Sequence, residues 1–288
     1  LDGKIVLWNF STRKHHKLPV APIIEFLRGL GIWSFIGYGF GYDSIRDDYK
    51  LVRIVQYYGE KDDSLYFEVM VYSLKSNSWQ RIQDFPYYLP YNPGLLQNAV
   101  FVRGALHWIV CREPRSVEAN LIAAFDLGVE EYRLVPQPDY LDKNIGMSLG
   151  SLGDCLCINC NYARRDRVDI WVMEEYGVKE SWTKLFSVKQ FGDVRPLAYS
   201  RTGEEVLLYQ GHAKLLWFDL KRKTLKNVRI PGWPTFYEDP ICVGSLVPLP
   251  VDEMEKAARM READSKKNRK ERSFFYGVWK KIVYSNTT

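Results

Sequence analysis

Four groups of residues have types and spacings that chemistry could use. Gly37, Gly39 and Gly41 suggest a phosphate cradle; Asp43, Asp47 and Asp48 an acid–base pair or calcium loop; Cys155, Cys157 and Cys160 a metal site; and His107 and His212 ligands or a general base. Spacing argues against each. A dinucleotide loop needs G-x-G-x-x-G between a strand and a helix, whereas here G-x-G-x-G alternates with Tyr38, Phe40 and Tyr42 and runs into another strand-like segment. Glycines on one strand face instead permit close approach of a neighbour. The three aspartates lack the alternating oxygen ligands, central Gly and terminal Glu of an EF-hand, and a polar turn uses Asp to cap its own backbone. Cys155 and Cys157 share one face of a strand while Cys160 falls on the other, with no second Cys or His cluster nearby in sequence. They read as buried thiols. Four histidines, two of them adjacent at His15 and His16, supply neither a metal cluster nor a triad with a Gly-flanked serine. His107, inside an apolar run, reads as a packed, hydrogen-bonded side chain. No catalytic residue, metal or cofactor is expected.

The elements that would hold these residues are short strands. From Phe35 to Ile82 the chain contains an alternating Gly/aromatic run, the polar turn Asp43–Asp48, and a β-branched run to Tyr57. A second aromatic-aliphatic run (Phe67 to Leu74), a tight turn, and a strand opened by Trp79 complete the unit. Runs of this composition between Gly/Asp/Asn/Ser clusters predict antiparallel strands. The unit recurs. Aligning the third strand of each copy places Trp8, Tyr72, Phe125, Trp171 and Phe218 at intervals of 64, 53, 46 and 47 residues. The fourth strands open at His15, Trp79, Tyr132, Trp182 and Leu225. Periods of this size fit propeller blades. The expected fold is therefore all-β, a β-propeller-like (kelch-like) ring of about five to six four-stranded blades. The first blade is truncated at the N-terminus, which leads us to expect a missing upstream segment. The apolar stretch from Ile241 to Leu249 is expected to close the ring.

The phrases GYDSIRDDYKLV (Gly41 to Val52), VYSLKSNSW (Val71 to Trp79), LHW (Leu106 to Trp108) and WVMEEYGVKESWTKLF (Trp171 to Phe186) occur in that order. Together they resemble the F-box-associated interaction domain of plant F-box proteins and are similar to the defence-related and S-locus-like branches. The likeness runs from about Ile5 to Leu249; no F-box pattern is present. It implies a non-catalytic substrate receptor that holds target proteins for a Skp–cullin–F-box ubiquitin ligase, reaching adaptor and cullin through an F-box upstream. The other classes weighed are a propeller hydrolase or oxidase and a scaffold without ligase coupling.

Composition narrows the partners. Hydrophobic residues make up 46% and aromatics 15%, enough for a β core. The net charge of +5 is concentrated: residues 251–288 carry ten Lys/Arg against six Asp/Glu, a balance of +4, leaving about +1 on the rest. A nearly neutral body argues against nucleic acid. Nothing approaches the ~18 apolar residues of a membrane helix. Five cysteines and no signal peptide suggest reduced thiols, in cytoplasm or nucleus. The domain is placed at residues 1–250, with 251–288 a charged helix or disordered tail whose KKNRKER reads as a solvated charge run or a nuclear localisation signal.

Partner contacts are assigned from loop asymmetry. In a propeller the one-to-two and three-to-four hairpins lie at one edge, and the two-to-three and blade-to-blade connections at the other. The hairpin turns here are short and polar; the other connections are long and rich in aromatics and Arg. Tyr, Trp and Arg anchor protein interfaces. The expected partner-binding residues are Tyr87, Tyr88, Tyr91, Arg115, Arg164, Arg165, Trp233, Phe236 and Tyr237.

Overall fold

The computed structural model describes residues 5–9, 11–22, 33–58, 65–90, 97–113, 121–139, 146–162, 166–189, 194–211 and 214–228. They form nineteen strands and one 3₁₀ turn, Lys179–Ser181. The described chain divides into two compact units, one holding residues 5–22 and Tyr72–Trp79, the other residues 33–71 and 80–228. The sequences assigned to ring closure (Ile241 to Leu249), to the tail and to His212 lie outside the described residues.

Five sheets follow the repeat. The first is the hairpin β1 (Val6–Asn9) and β2 (Lys14–Lys17). The second joins β3 (Trp33–Asp43), β4 (Asp48–Tyr58), β5 (Leu65–Ser73) and β6 (Ser78–Arg81). Next come β8 (Val100–Val102), β9 (Ala105–Val110), β10 (Leu121–Asp126) and β11 (Tyr132–Val135). The fourth holds β12 (Gly146–Leu152), β13 (Cys155–Tyr162), β14 (Arg167–Met173) and β15 (Trp182–Lys189). The fifth holds β16 (Val194–Tyr199), β17 (Glu205–Gln210), β18 (Lys214–Asp219) and β19 (Leu225–Val228). Apart from the first, each contains a four-stranded meander in chain order, the blade of a propeller-type fold.

Two details differ from the sequence reading. The second sheet has a fifth strand, β7 (Gln97–Asn98), parallel to β3 through Gly37↔Gln97 and Tyr38↔Asn98. The end of the connection after Phe85 thus covers an inner edge that would otherwise be open. In the fourth sheet the aligned third-strand position belongs to Met173, not Trp171. Phe125 faces Tyr132 and Phe218 faces Leu225, but Trp182 faces Met173, because the turn between β14 and β15 is longer; farther from the turn, a bulge between Ile170 and Trp171 shifts the register once more.

The cores lie between successive sheets of the larger unit, so inner strands are apolar on both faces. In β10, Ala123 and Phe125 pack with Val52, Val69 and Trp108 of one cluster. Their neighbours Ile122 and Ala124 pack with Leu156, Ile158 and Met173 of another. A third joins Val168 and Ile170 to Val206 and Leu216, with the Phe186 and Phe218 rings stacked at 4.3 Å. Cys157 and Cys160, one on each face of β13, enter different clusters, and burial pushes both thiols up to about 12. The strand glycines serve this packing. A Cβ on Gly39 would lie 2.7 Å from Leu106 Cδ1 and 2.9 Å from Trp108 Cζ2, and one on Gly41 2.3 Å from Phe101 Cδ2. It is the neighbouring sheet that demands glycine there.

One turn recurs through both units. Asn9, Asp43, Ser73, Asp126 and Asp219 each accept, through a side-chain oxygen, the N–H three residues on, at 2.7–3.2 Å. Four residues after each stands Arg13, Asp47, Asn77, Glu130 or Lys223 with φ between 51° and 59°. A short polar side chain thus substitutes for backbone pairing while the left-handed residue reverses the chain. Asp43 caps its turn as its residue type and position predict.

Candidate partner-binding site

The connection Phe85–Pro90 runs outside the regular sheet yet is firmly held. Phe85 and Leu89 are buried, and the Phe85 ring meets Trp108 and Tyr132 edge-on at 6.0 and 5.4 Å. Between them the backbone is secured on both sides. Tyr88 N–H donates to Cys111 O at 3.3 Å and Cys111 N–H returns to Tyr88 O at 2.7 Å. On the other side, fully buried Gln56 donates its amide to Tyr87 O at 3.1 Å and accepts from Leu89 N–H at 3.0 Å. One glutamine therefore replaces a strand for two residues. Tyr87 and Tyr88 are left half-buried, packed against Phe85 and Phe67 respectively. Neither hydroxyl is hydrogen-bonded to a described residue. A fixed ring with an open hydroxyl suits an interface.

Of the partner-binding residues expected from sequence, the structure describes and brings together these two. Tyr91, Arg115, Arg164, Arg165, Trp233, Phe236 and Tyr237 lie outside the described residues. Cys111, which pairs with Tyr88, ends the strand-like path leading to the connection that carries Arg115. Sequence reasoning missed Gln56; its signal was a lone amide inside the apolar run LVRIVQYY.

The opposite ends of these sheets are fastened by charge. Lys50 Nζ, on a side chain 4% exposed, reaches Asp43 Oδ2 at 2.9 Å, Glu130 Oε1 at 2.7 Å and Leu127 O at 2.8 Å. Its three N–H donors thus meet three acceptors. Arg46 adds Asp43 Oδ2 at 3.1 Å and Gly128 O at 2.6 Å. Burial pushes the Asp43 carboxyl up, but hydrogen bonds from Lys50 and from the Arg46 backbone and guanidinium outweigh it and hold it at about 2. His107 is likewise engaged. Nδ1–H donates to Val100 O at 3.0 Å, and Nε2 accepts from the Tyr176 hydroxyl at 2.6 Å. Burial lowers the imidazole to about 4, so a neutral ring uses both nitrogens structurally.

Residues 2–238 match the model of the F-box associated beta propeller domain. The chain belongs to that family. It is 37% identical to the F-box protein CPR1 of Arabidopsis thaliana over 97% of this chain and 74% of that protein. A second Arabidopsis thaliana relative, F-box protein At4g22390, is also 37% identical, over 84% of this chain and 64% of its own length. The chain thus spans roughly two thirds to three quarters of these relatives. Among solved structures, an oligogalacturonate lyase in complex with manganese overlaps 79% of this chain and 59% of its own at 13% identity and a TM-score of 0.45. That likeness is too loose to say anything about this chain.

Proposed function

We propose that this F-box-associated domain is the target-binding part of a ubiquitin ligase receptor and performs no chemistry itself. It holds a target protein while an F-box elsewhere in the complete protein joins a Skp-type adaptor and a cullin. A charged ubiquitin carrier on that scaffold then reaches a target lysine. The observation that carries this reading is the family match together with the Tyr87–Tyr88 corner, whose backbone is fixed and whose hydroxyls are open. Specificity comes from contacts of this corner and of the connections holding Tyr91, Arg115, Arg164, Arg165, Trp233, Phe236 and Tyr237. The partner is a protein rather than nucleic acid or membrane, met in the cytoplasm or nucleus.

The test uses the complete protein with its F-box. Proximity labelling should return proteins that gain ubiquitin when the receptor is present, and Tyr87→Ala with Tyr88→Ala should abolish both labelling and ubiquitin transfer while adaptor binding persists. Unchanged transfer by the double variant would overturn the assignment of the corner. Failure of the F-box-bearing protein to retain the adaptor would overturn the ligase reading itself.

A further inference from the structure

The outer strands of the fourth sheet carry a charge cluster around Asp169. Asp169 is fully buried in β14. Its Oδ1 lies 3.0 Å from Arg167 Nε and its Oδ2 accepts from Arg167 Nη2 at 3.1 Å, so the carboxylate faces one edge of the guanidinium. The guanidinium carbon sits 4.7 Å from the centre of the Tyr162 ring, itself only 2% exposed. Lys184 Nζ approaches the same Oδ2 at 3.7 Å and the Trp171 ring at 5.9 Å. Strand pairing then sets Lys189 directly across from Arg167, and Lys184 across from Trp171. Since paired residues share a face, Lys189 stands on the same face as Arg167, beside the carboxylate that Arg167 and Lys184 approach.

The second sheet shows what a closed version looks like. Glu68 stands four residues before Tyr72, as Asp169 stands four before Met173, and it too meets an arginine, Arg53. There one acid pairs with one arginine, with side chains 1% and 11% exposed. In the fourth sheet two cations meet one buried carboxylate with Lys189 standing across from Arg167, and the Arg167 and Lys184 side chains are 26% and 38% exposed. Even with exposed Asp166 counted, cations exceed acids. A guanidinium held on a buried carboxylate and an aromatic face has lost its rotamer freedom in advance. An anion meeting it avoids much of the ordering cost.

From this geometry we infer that Arg167, Lys184 and Lys189 form a subsite for an anionic group on a target protein, a carboxylate or a phosphate. The inference rests on the receptor reading and sharpens it: Arg167 supplies the directional donors, and the lysines supply attraction that salt weakens. Asp169 and Tyr162 position the arginine.

The test measures fluorescence anisotropy of the 288-residue chain with three labelled peptides of equal length. One is rich in Asp and Glu, one replaces these with phosphoserine, and one is the neutral Asn/Gln version. The anionic peptides should bind at least tenfold more tightly than the neutral one and weaken as salt rises from about 0.05 to 0.3 M. Lys184→Gln with Lys189→Gln, which leaves the Arg167–Asp169 pair intact, should cost about tenfold. Arg167→Lys, compared at a temperature where the variant is folded, should cost at least as much. A tenfold preference for phosphoserine identifies phosphate, and equal binding identifies any carboxylate-like anion. Equal affinity for all three peptides, anionic binding unaltered in the folded double-lysine variant, no binding at millimolar peptide, or tighter binding of a single-stranded oligonucleotide would each overturn the subsite. Loss of the subsite alone leaves ubiquitin transfer at the Tyr87–Tyr88 corner standing, so the two failures are distinguishable.

Discussion

The two ends of the sheets solve the same problem, reversing a chain, in opposite ways. Where strand three turns into four, Asn9, Ser73, Asp126 and Asp219 cap a turn closed by a left-handed residue, and Asp43 does the same between β3 and β4. At the other end the described segments are held by contacts of their own: Phe85–Pro90 is pinned by a buried glutamine, and Arg167 at the start of β14 pairs with Asp169. A device reused in several turns holds the fold together. A segment held by its own particular contacts is free to differ from one sheet to the next.

The largest expected effect breaks the fastened end. Lys50→Met should lower stability by about 3–5 kcal/mol, because it strips the buried Asp43 carboxylate and Glu130 of their shared cation; denaturant unfolding measures it. A loss under ~1 kcal/mol would mean that Arg46 alone suffices. Gln56→Leu comes next. It leaves Tyr87 O and Leu89 N–H without partners, at about 1–3 kcal/mol per buried group. Hydrogen exchange should quicken at Leu89 but not in the capped turns; faster exchange everywhere would mean that the two ends are not independent.

Titration tests a smaller effect. His107 is neutral when folded and falls to about 4, against an ordinary value near 6.5. Between those values the unfolded chain binds the extra proton, so this stability is complete above ~6.5 and is lost as pH falls toward 4, by up to ~1.4 kcal/mol per pH unit. His107→Gln should flatten that slope. Below it, Asp43 adds its own loss: its stabilisation is complete above its unfolded value near ~4 and disappears as pH falls through about 2. Smallest of all, Lys223→Gly should stabilise by about 0.5–1 kcal/mol by relieving a left-handed lysine, whereas Asp219→Ala should cost about 1 kcal/mol by removing its cap. Equal melting temperatures for the two would show that the cap and the left-handed residue matter little.

The repeat was legible because it depends on local pattern. Trp79, Tyr132, Trp182 and Leu225 open or begin fourth strands where turn chemistry and aromatic spacing put them. What escaped depends on partners far along the chain. Lys50 reads as one more polar residue of a turn-and-strand motif until Leu127 and Glu130, some 80 residues on, complete its coordination. β7 is two residues long and carries no periodicity of its own. The longer turn between β14 and β15 puts the position facing Trp182 at Met173, where aromatic spacing alone points to Trp171. Asn77, which reads as a bland turn residue, accepts from the Tyr72 hydroxyl at 2.7 Å and sits 3.0 Å from His16 Nε2. It therefore cannot serve as a neutral control, though exposed Ser76 and Lys223 can.

The most direct test measures target affinity at the two ends in parallel. With a captured target, Tyr88→Ala should weaken binding by about 2 kcal/mol, roughly thirtyfold, with the melting curve little changed. Ser76→Ala with Lys223→Ala should leave affinity at the wild-type value. Equal losses from both sets, or a loss only from the turn set, would contradict the assignment of recognition to the Tyr87–Tyr88 end.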